Sequence, residues 1–400
     1  MNVASLYYNG DMKILIAADL HWPTINGVAS FSRNLAHGLA ARGHQVLVIA
    51  PSQTGKAYQE TDRNHTVMRT PSLPFPFYQN FRISVRPQSE VREIIEDFQP
   101  DIIHIQSMLG IGRAALGAGK KLGIPVVATN HAMPENLLDN LRLLAPFAKP
   151  IGYMMKEYGA RFHNNADYVT LPTEAAISMF GAKAEDMRVP MVAISNGIDL
   201  KRFSPGKVPE ELYKHYGLPL DMPIVTYVGR LDTEKHLSVL ITAMHKVVQH
   251  TPAHTLIIGG GNDAENLKLL AEELDMTDKI TFAGKISDED VASLQKVGKV
   301  FCMPSPVELQ CLAMLEGMAS GVPPVAVDSG ALYELCRDGD NGFICKTDNA
   351  SDMAEKITTL LTDEPLRKKM AKRSLEIAKT HDLDHVLGEF ERIYERLVKT

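Results

Sequence analysis

The run KILIAADLHWPTINGVASFSRNLAHGLAARGHQVLVIA, from Lys13 to Ala50, decides the fold class. Its opening, Lys13–Asp19, is almost wholly apolar and reads as a buried strand. A loop follows, then an amphipathic helix from about Val28 to Arg42, with Gly43 where a helix C-cap is expected. Gln45–Ala50 is the next buried strand. Strand, helix and strand in this order imply parallel strands joined by a right-handed crossover.

The same rhythm continues on either side of a break. Asp101–Ile105 and Pro125–Thr129 read as strands with a helix around Gly112–Leu122 between them, and Tyr168–Leu171 and Val192–Ser195 follow. Around Asn196–Pro223 the pattern fails, because Gly197, Pro205, Gly206, Pro209, Gly217, Pro219 and Pro223 crowd together. That stretch is expected to be a linker and domain boundary. Ile224–Val228 opens a second series, with strands near Thr255–Ile258, Lys279–Phe282, Val300–Met303 and Val325–Val327. An amphipathic helix at about Leu383–Leu397 ends the chain; it caps the second domain or crosses back to the first. The expected fold is α/β, two doubly wound Rossmann-like domains facing a cleft. Their bounds are 1–200 and 201–382, with 383–400 as the final helix, and 400 residues suit two domains of about 200 each. Ligands of such sheets bind beyond the carboxyl ends of the strands, so two domains suggest two substrates.

Bulk composition narrows the function. With 45% hydrophobic and 22% charged residues the chain is an ordinary globular one. It has no apolar run approaching the roughly 20 residues that span a bilayer. Met1–Asp11 lacks the basic and apolar regions of a secretory signal and reads as a short leader. The four cysteines, Cys302, Cys311, Cys336 and Cys345, form no C-x-x-C pair and have no ligand spacing. Reduced thiols in a cytoplasmic protein are expected, not a zinc site. The net charge of −6 resides in residues 201–400, while residues 1–200 are nearly neutral. No nucleic-acid partner is expected, since that would need a basic face.

The chemistry is expected to lie at the strand ends. In Pro304-Ser-Pro-Val-Glu308-Leu-Gln-Cys-Leu-Ala-Met-Leu-Glu316 a strand ends, a loop holds Glu308, and a helix begins near Gln310. The backbone N–H groups of Leu309, Gln310, Cys311 and Leu312 would then be donors at a helix start, suited to a diphosphate or to sugar hydroxyls. The helix is apolar nearly all round, so Glu316 is expected to be buried and partnered. At the start of the second series, Arg230 follows Val228-Gly229, with Lys235 at the next helix. A guanidinium and an ammonium converging there would neutralise a pyrophosphate. In the first half, Gly27 before a helix allows close backbone approach to a phosphate or sugar. The loop holding it is not G-x-G-x-x-G, so no nicotinamide or flavin is implied. His131 follows a strand and is expected to point into the cleft.

Three further stretches need assignment. Asp288-Glu-Asp290 spells D-x-D but follows Ser287 and precedes a helical run, so it reads as a capped helix start. Asp338-Gly-Asp340 reads as a turn. Neither is assigned to metal, and no metal site is expected. Gly259-Gly-Gly261 either approaches a nucleotide or permits a tight turn.

Together these residues resemble the retaining family 4 glycosyltransferases of the GT-B fold, over nearly the whole chain from Lys13. The likeness is carried by Glu308-x7-Glu316, by Gly229-Arg230-x4-Lys235, by Ser195-Asn-Gly-Ile-Asp199 with Phe203, and by Gly259-Gly-Gly. It implies a nucleoside diphosphate sugar as co-substrate in the C-terminal domain, no cofactor and no metal. Glu316 would bind the ribose, Arg230 and Lys235 the pyrophosphate, and Glu308 with nearby backbone amides the sugar hydroxyls. Gly27 and His131 would complete the site from the acceptor-binding N-terminal domain, with His131 and Glu308 nearest the chemistry. The chain departs from the family at Asn26-Gly27, where many members have Gly-Gly, and at His236 and Cys311, where glycine is usual.

The acceptor is read from further likeness. Glu308-Leu-Gln310-Cys311 and His131-Ala-Met-Pro-Glu135 are similar to bacterial diacylglycerol glucosyltransferases, while phosphatidylinositol mannosyltransferases are a close variant. Arg142, Lys149, Lys156 and Arg161 interleave with apolar residues and suit an anionic membrane surface; the bland alternative is a helix packed on the sheet edge. The leading expectation is a hexosyltransferase using UDP-glucose and a lipid or glycolipid acceptor, cytoplasmic and peripheral on the inner face of the cell membrane. A GDP-mannose-dependent mannosyltransferase, a nucleotide-sugar epimerase and a silent sugar-nucleotide binder are the alternatives.

Overall fold

The computed structural model describes residues 11–24, 26–75, 81–131, 148–180 and 187–399, with the side chains of residues 148 and 149 outside that set. Contacts divide the chain into two compact units, Met1–Ser195 with Asp384–Thr400, and Asn196–Leu383.

Unit 1 holds β1 (Lys13–Ala17), β2 (Gln45–Pro51), β3 (Tyr58–Asp62), β4 (His65–Thr70), β5 (Ser72–Pro74), β6 (Arg82–Ser84), β7 (Ile102–Ile105), β8 (Val126–Thr129), β9 (Tyr168–Leu171) and β10 (Met191–Ala193). Eight of them form one sheet in the order β10-β9-β8-β7-β1-β2-β4-β3; β5 and β6 form a separate pair. Within the eight-stranded sheet pairing is parallel except that β3 runs antiparallel to β4, and β5 and β6 are antiparallel to each other. β1 is central, and Ile14, Leu15, Ile16 and Ala17 are fully buried. That is why its sequence is continuously apolar rather than alternating. The β3–β4 hairpin was not foreseen. Residues Tyr58–Asp62 are polar and alternate between half-buried and exposed, as an edge strand with one neighbour permits.

The final helix, Leu383–Val398, packs within unit 1. The Tyr394 hydroxyl lies 2.5 Å from His104 Nδ1, and Phe390 packs against the rings of Phe31 and His104. A Cβ on Gly38 would meet the Leu387 side chain, so glycine lets the final helix pack closely on the helix Gly27–Ala41.

Unit 2 holds β11 (Ile224–Val228), β12 (His254–Ile258), β13 (Ile280–Gly284), β14 (Gly298–Met303), β15 (Pro324–Val327) and β16 (Phe343–Cys345). All are parallel, in the order β13-β12-β11-β14-β15-β16. The stretch Asn196–Pro223, expected to be a linker, is part of this unit. Ile198 and Phe203 belong to its main core, and Leu218 packs in a smaller cluster with Ile224 and Leu256. Residues Glu210–His215 form a short helix. Gly and Pro punctuate the stretch, yet its few apolar residues are enough to dock it.

Each sheet reverses its strand order beside its central strand, between β1 and β7 in unit 1 and between β11 and β14 in unit 2. Ligands favour such points. In unit 1 a side chain already occupies the position. Asp19, just beyond β1, accepts the N–H groups of Ile111 and Gly112 at 2.8 and 3.1 Å. The start of the helix Gly110–Leu122 is therefore filled by the chain's own carboxylate. Among the described residues no such carboxylate plugs the helix Leu312–Ala319 of unit 2, whose start, with Cys311 at the N-cap, carries no side-chain cap.

Candidate functional site

Unit 2 builds its strand-end site by packing loops against one another. Beyond β11, the fully buried Tyr227 donates its hydroxyl to the Arg230 carbonyl at 2.8 Å. Gly259, at φ 137°, lies so close to this turn that a Cβ would stand 1.8 Å from the Gly229 carbonyl oxygen. A Cβ on Gly261 would meet the Leu231 carbonyl at 2.3 Å. These glycines thus serve close backbone packing behind Arg230. Tyr227 is a positioning residue that the sequence did not single out, since a strand tyrosine reads as core.

The two cations are brought together, but not as a bare pair. Arg230 is ion-paired with Asp232 and Glu234. Lys235 Nζ donates to Glu308 Oε1 at 2.7 Å and lies 3.9 Å from Glu234 Oε1. Burial opposes the charge on Lys235, but Glu308 and Glu234 outweigh it and raise its pKa above the usual lysine value. Three carboxylates therefore surround two cations, where the sequence suggested two cations converging alone. A phosphate entering here would compete with these carboxylates for the two cations. Lys235 sits in a short 3-10 turn, Thr233–Lys235, ahead of the helix Leu237–Val248. Between them His236 takes φ 50°, a left-handed backbone that explains why glycine suits this position.

Glu308 is held from behind by the loop after β15. The Ala331 N–H donates to the Glu308 carbonyl at 2.8 Å, and the Ser329 hydroxyl to the Pro306 carbonyl at 2.8 Å. Gly330 lies between them at φ 59°, and a Cβ there would be 2.6 Å from the Glu308 carbonyl oxygen. Gly330→Ala should therefore push the Glu308 loop outward while leaving the sheet intact. A shift of about 1 Å at a reacting group costs on the order of 100-fold in rate. We expect turnover of the variant to fall by roughly 10- to 100-fold with an unchanged circular dichroism spectrum; wild-type turnover would show that Glu308 is not positioned this way.

The helix expected near Gln310 begins at Leu312, with Cys311 at its N-cap, so Glu316 lies in its second turn. Leu309 and Cys311 are buried and Leu312 is half-buried. Gln310 Oε1 accepts the Asn196 N–H at 2.8 Å, which ties the Ser195–Asp199 segment to this loop. Burial pushes the Glu316 carboxyl up to about 7, against the pull of Arg202 and a 3.4 Å hydrogen bond from Gln295 Nε2. Glu316 is the most perturbed carboxylate of this unit, and its partners are weak ones. That combination marks a functional candidate.

In unit 1, Asn26 accepts the Ala29 N–H at 2.8 Å and caps the helix that begins at Gly27, an exposed residue. His131 lies 2.9 Å from Gln106 Oε1 through Nε2 and packs on Phe31. Burial lowers its pKa to about 3, so the imidazole is neutral. With Nε2 donating to Gln106, Nδ1 is the acceptor.

The other assignments divide. Ser287 caps Asp290 N–H at 3.1 Å, as expected of a helix start. Asp338 Oδ1 accepts the Ile344 N–H at 2.9 Å within its turn. Of the basic series, Arg142 lies outside the described residues, as does the side chain of Lys149. Lys156 is half-buried, and Arg161 is exposed, 3.7 Å from Glu157. On the same helix, Ala148–His163, Tyr153 and Met154 are each 65% exposed. Among the described residues, no helix is long and apolar enough to cross a membrane.

Residues 25–202 match the Glycosyltransferase Family 4 model and residues 209–376 the model for glycosyl transferases group 1. A GDP-mannose-dependent alpha-mannosyltransferase of Mycolicibacterium smegmatis is 28% identical, over 96% of this chain and 98% of that protein. An alpha-monoglucosyldiacylglycerol synthase of Streptococcus pneumoniae is 27% identical, over 82% of this chain and 74% of that protein. Among solved structures, sucrose-phosphate synthase from Thermosynechococcus elongatus superposes with a TM-score of 0.76 at 21% identity, covering 97% of this chain and 99% of that one. The last likeness is one of fold alone.

Proposed function

Since this chain belongs to the family 4 glycosyltransferases, with the GT-B fold, we propose that it transfers a hexose from UDP-glucose to a membrane lipid such as diacylglycerol, with retention at the anomeric carbon and without metal or cofactor. One observation carries the assignment of the donor to unit 2: the helix start at Leu312 lacks a side-chain cap at that sheet's switch point, whereas Asp19 fills the equivalent place in unit 1. The backbone amides there, with Arg230 and Lys235, suit a diphosphate. Glu316 then accepts the ribose hydroxyls. Glu308, exchanging Lys235 for sugar, accepts sugar hydroxyls. Gly27 and His131 carry the N-terminal share of sugar and phosphate binding that the resemblance implies.

In the proposed reaction the acceptor hydroxyl attacks the anomeric carbon from the face the diphosphate leaves. The bond from that carbon to the phosphate oxygen breaks, and a phosphate oxygen takes the hydroxyl proton. The neutral His131 offers its Nδ1 lone pair as a hydrogen-bond acceptor.

The mannosyltransferase relative supports a second reading, GDP-mannose as donor. A thermal-shift panel of UDP-glucose, GDP-mannose and ADP-glucose separates them, because only the true donor stabilises at low concentration. UDP-glucose is expected to give the largest shift, followed by glucosyl transfer to diacylglycerol in vesicles. A larger shift with GDP-mannose would replace the donor, and no shift with any sugar nucleotide would end the reading. Appearance of an epimerised sugar nucleotide without acceptor would favour an epimerase.

The lipid acceptor implies work at the cytoplasmic face of a membrane. Tyr153, Met154 and Arg161 give one helix an exposed apolar and basic surface that suits it. Replacing all three with serine should reduce flotation with anionic liposomes severalfold, the one lost cation contributing on the order of 1 kcal/mol and the two lost apolar side chains adding to it. Equal flotation of the variant would remove this surface from the membrane contact.

A further inference from the structure

Unit 1 contains a buried cluster that the reaction above does not use. His21 lies in the loop after β1, Asp62 ends β3, and His65 begins β4. Each offers a ligand atom, and these atoms all lie within 4.8 Å of one another. The sequence hid the cluster because it depends on the unforeseen β3–β4 hairpin to bring its members to His21.

Both histidines are almost completely buried, His21 at 2% exposure and His65 at 4%. His21 Nδ1 lies 3.2 Å from the Ser32 hydroxyl. The hydroxyl can accept from Nδ1–H, which leaves the lone pair on Nε2, and His21 Nε2 has no hydrogen-bond partner among the described residues. Both ring nitrogens of His65 are likewise buried without a partner. Orphaned buried polar atoms are rare and disfavoured, which calls for a bound species at this point.

We propose that His21, Asp62 and His65 form a binding site for a divalent transition-metal ion, of which Zn²⁺ is the best match. Two imidazoles and one carboxylate are a donor set that zinc accepts, with water in the fourth position. Tetrahedral bonds of about 2.1 Å would bring the donor atoms to about 3.4 Å apart, so closure needs movements of roughly 1 Å.

The neighbours both help and oppose. Arg33 donates from Nε to Asp62 Oδ2 at 2.9 Å and from Nη2 to Oδ1 at 3.3 Å, and its guanidinium lies over the Trp22 ring. His37 Nε2 is 3.2 Å from Asp62 Oδ2, and its ring is 5.0 Å from that of His65. Arg69 donates to the Trp22 carbonyl at 2.5 Å and to Glu60 at 2.8 Å. Two guanidinium groups beside a dication oppose it. Arg33 also orients Asp62, as partners of a ligating carboxylate do. An ion here would tie His21 to the β3–β4 hairpin, making it a structural clamp separate from the proposed transfer.

The test uses the full-length protein stripped by a chelator and titrated with Co²⁺ alone, then Zn²⁺ in competition. One saturable equivalent of Co²⁺ should bind with visible d–d absorption, and Zn²⁺ should displace it. His21→Gln and His65→Gln should each weaken Co²⁺ at least 10-fold. X-ray absorption of wild type carrying one Zn²⁺ should show two imidazole ligands, a readout that needs no variant. Absence of saturable binding by the wild type would overturn the proposal, leaving water as the partner of these nitrogens. So would equal binding by both variants, or a zinc shell without imidazole.

Discussion

Lys235→Met is expected to lower kcat/KM for transfer by roughly 100- to 1000-fold, the range seen when one fixed donor to developing charge is removed. Two losses combine. The leaving diphosphate loses a charge-assisted hydrogen bond, and Glu308 loses the ammonium at 2.7 Å that neutralises it. The left-over carboxylate would then face the phosphates and repel them. Steady-state kinetics with the identified donor check this, with nucleotide affinity by calorimetry as the second measurement. Lys235→Arg should recover little, because a planar guanidinium cannot occupy the place of a compact ammonium between Glu234 and Glu308. A loss below about fivefold in the methionine variant would remove Lys235 from the charge-bearing role.

Glu316→Ala is expected to weaken nucleotide binding by roughly 2–3 kcal/mol, about 30- to 150-fold in Kd, since two ribose hydroxyls lose a charged acceptor. The same carboxyl predicts a pH dependence. Its pKa is raised from 4.5 to about 7 by burial. Below that value it holds a proton and is a poorer acceptor, so nucleotide affinity should rise with pH through about 7 and then level. Glu316→Gln should flatten the profile. For stability the sign is opposite. The native carboxyl holds its proton more tightly than the unfolded one, so its contribution is full below about 4.5 and is lost as pH rises to about 7. Without nucleotide, Glu316→Gln should therefore melt higher than wild type at pH 8. Unchanged affinity in the alanine variant would place the ribose elsewhere.

The raised carboxyl and the paired cations lie in one unit and are held by its own side chains. Lys235 and Arg230 are kept in place by Asp232, Glu234 and Glu308, carboxylates that the proposed donor would have to displace or reuse. Glu308 is suited to reuse, because sugar hydroxyls can replace Lys235 as its hydrogen-bond donors. Such a site favours ligands that bring both phosphate and hydroxyl groups, and inorganic phosphate alone gains less from it.

Several elements were legible because their signal is local. β1, the helix after it and β2 follow from an apolar run, a helical period and a glycine stop, and all formed as read. Glu308, Arg230 and Lys235 could be singled out as candidates because they follow strand ends, where a doubly wound sheet exposes side chains, and Glu316 because a carboxyl in an apolar helix needs a partner. The β3–β4 hairpin was missed because an edge strand needs little hydrophobic pattern. The Asn196–Pro223 stretch begins where the two units divide, as a boundary should, but it is docked and not a free linker, because composition marks turns and says nothing of where Ile198, Phe203 and Leu218 dock.

By itself, the sequence determined the class of this protein: two parallel α/β series and the charged groups at their strand ends, all set by periodicity and short-range punctuation. Only the tertiary structure decided which cation meets which carboxylate, that Asp19 plugs one helix start while the other is left without a cap, and that Gly330 and Tyr227 hold the loops. It also brought His21, Asp62 and His65 together. These facts depend on segments distant in the chain, and chain order carries no distance between them until the sheets have closed and excluded water.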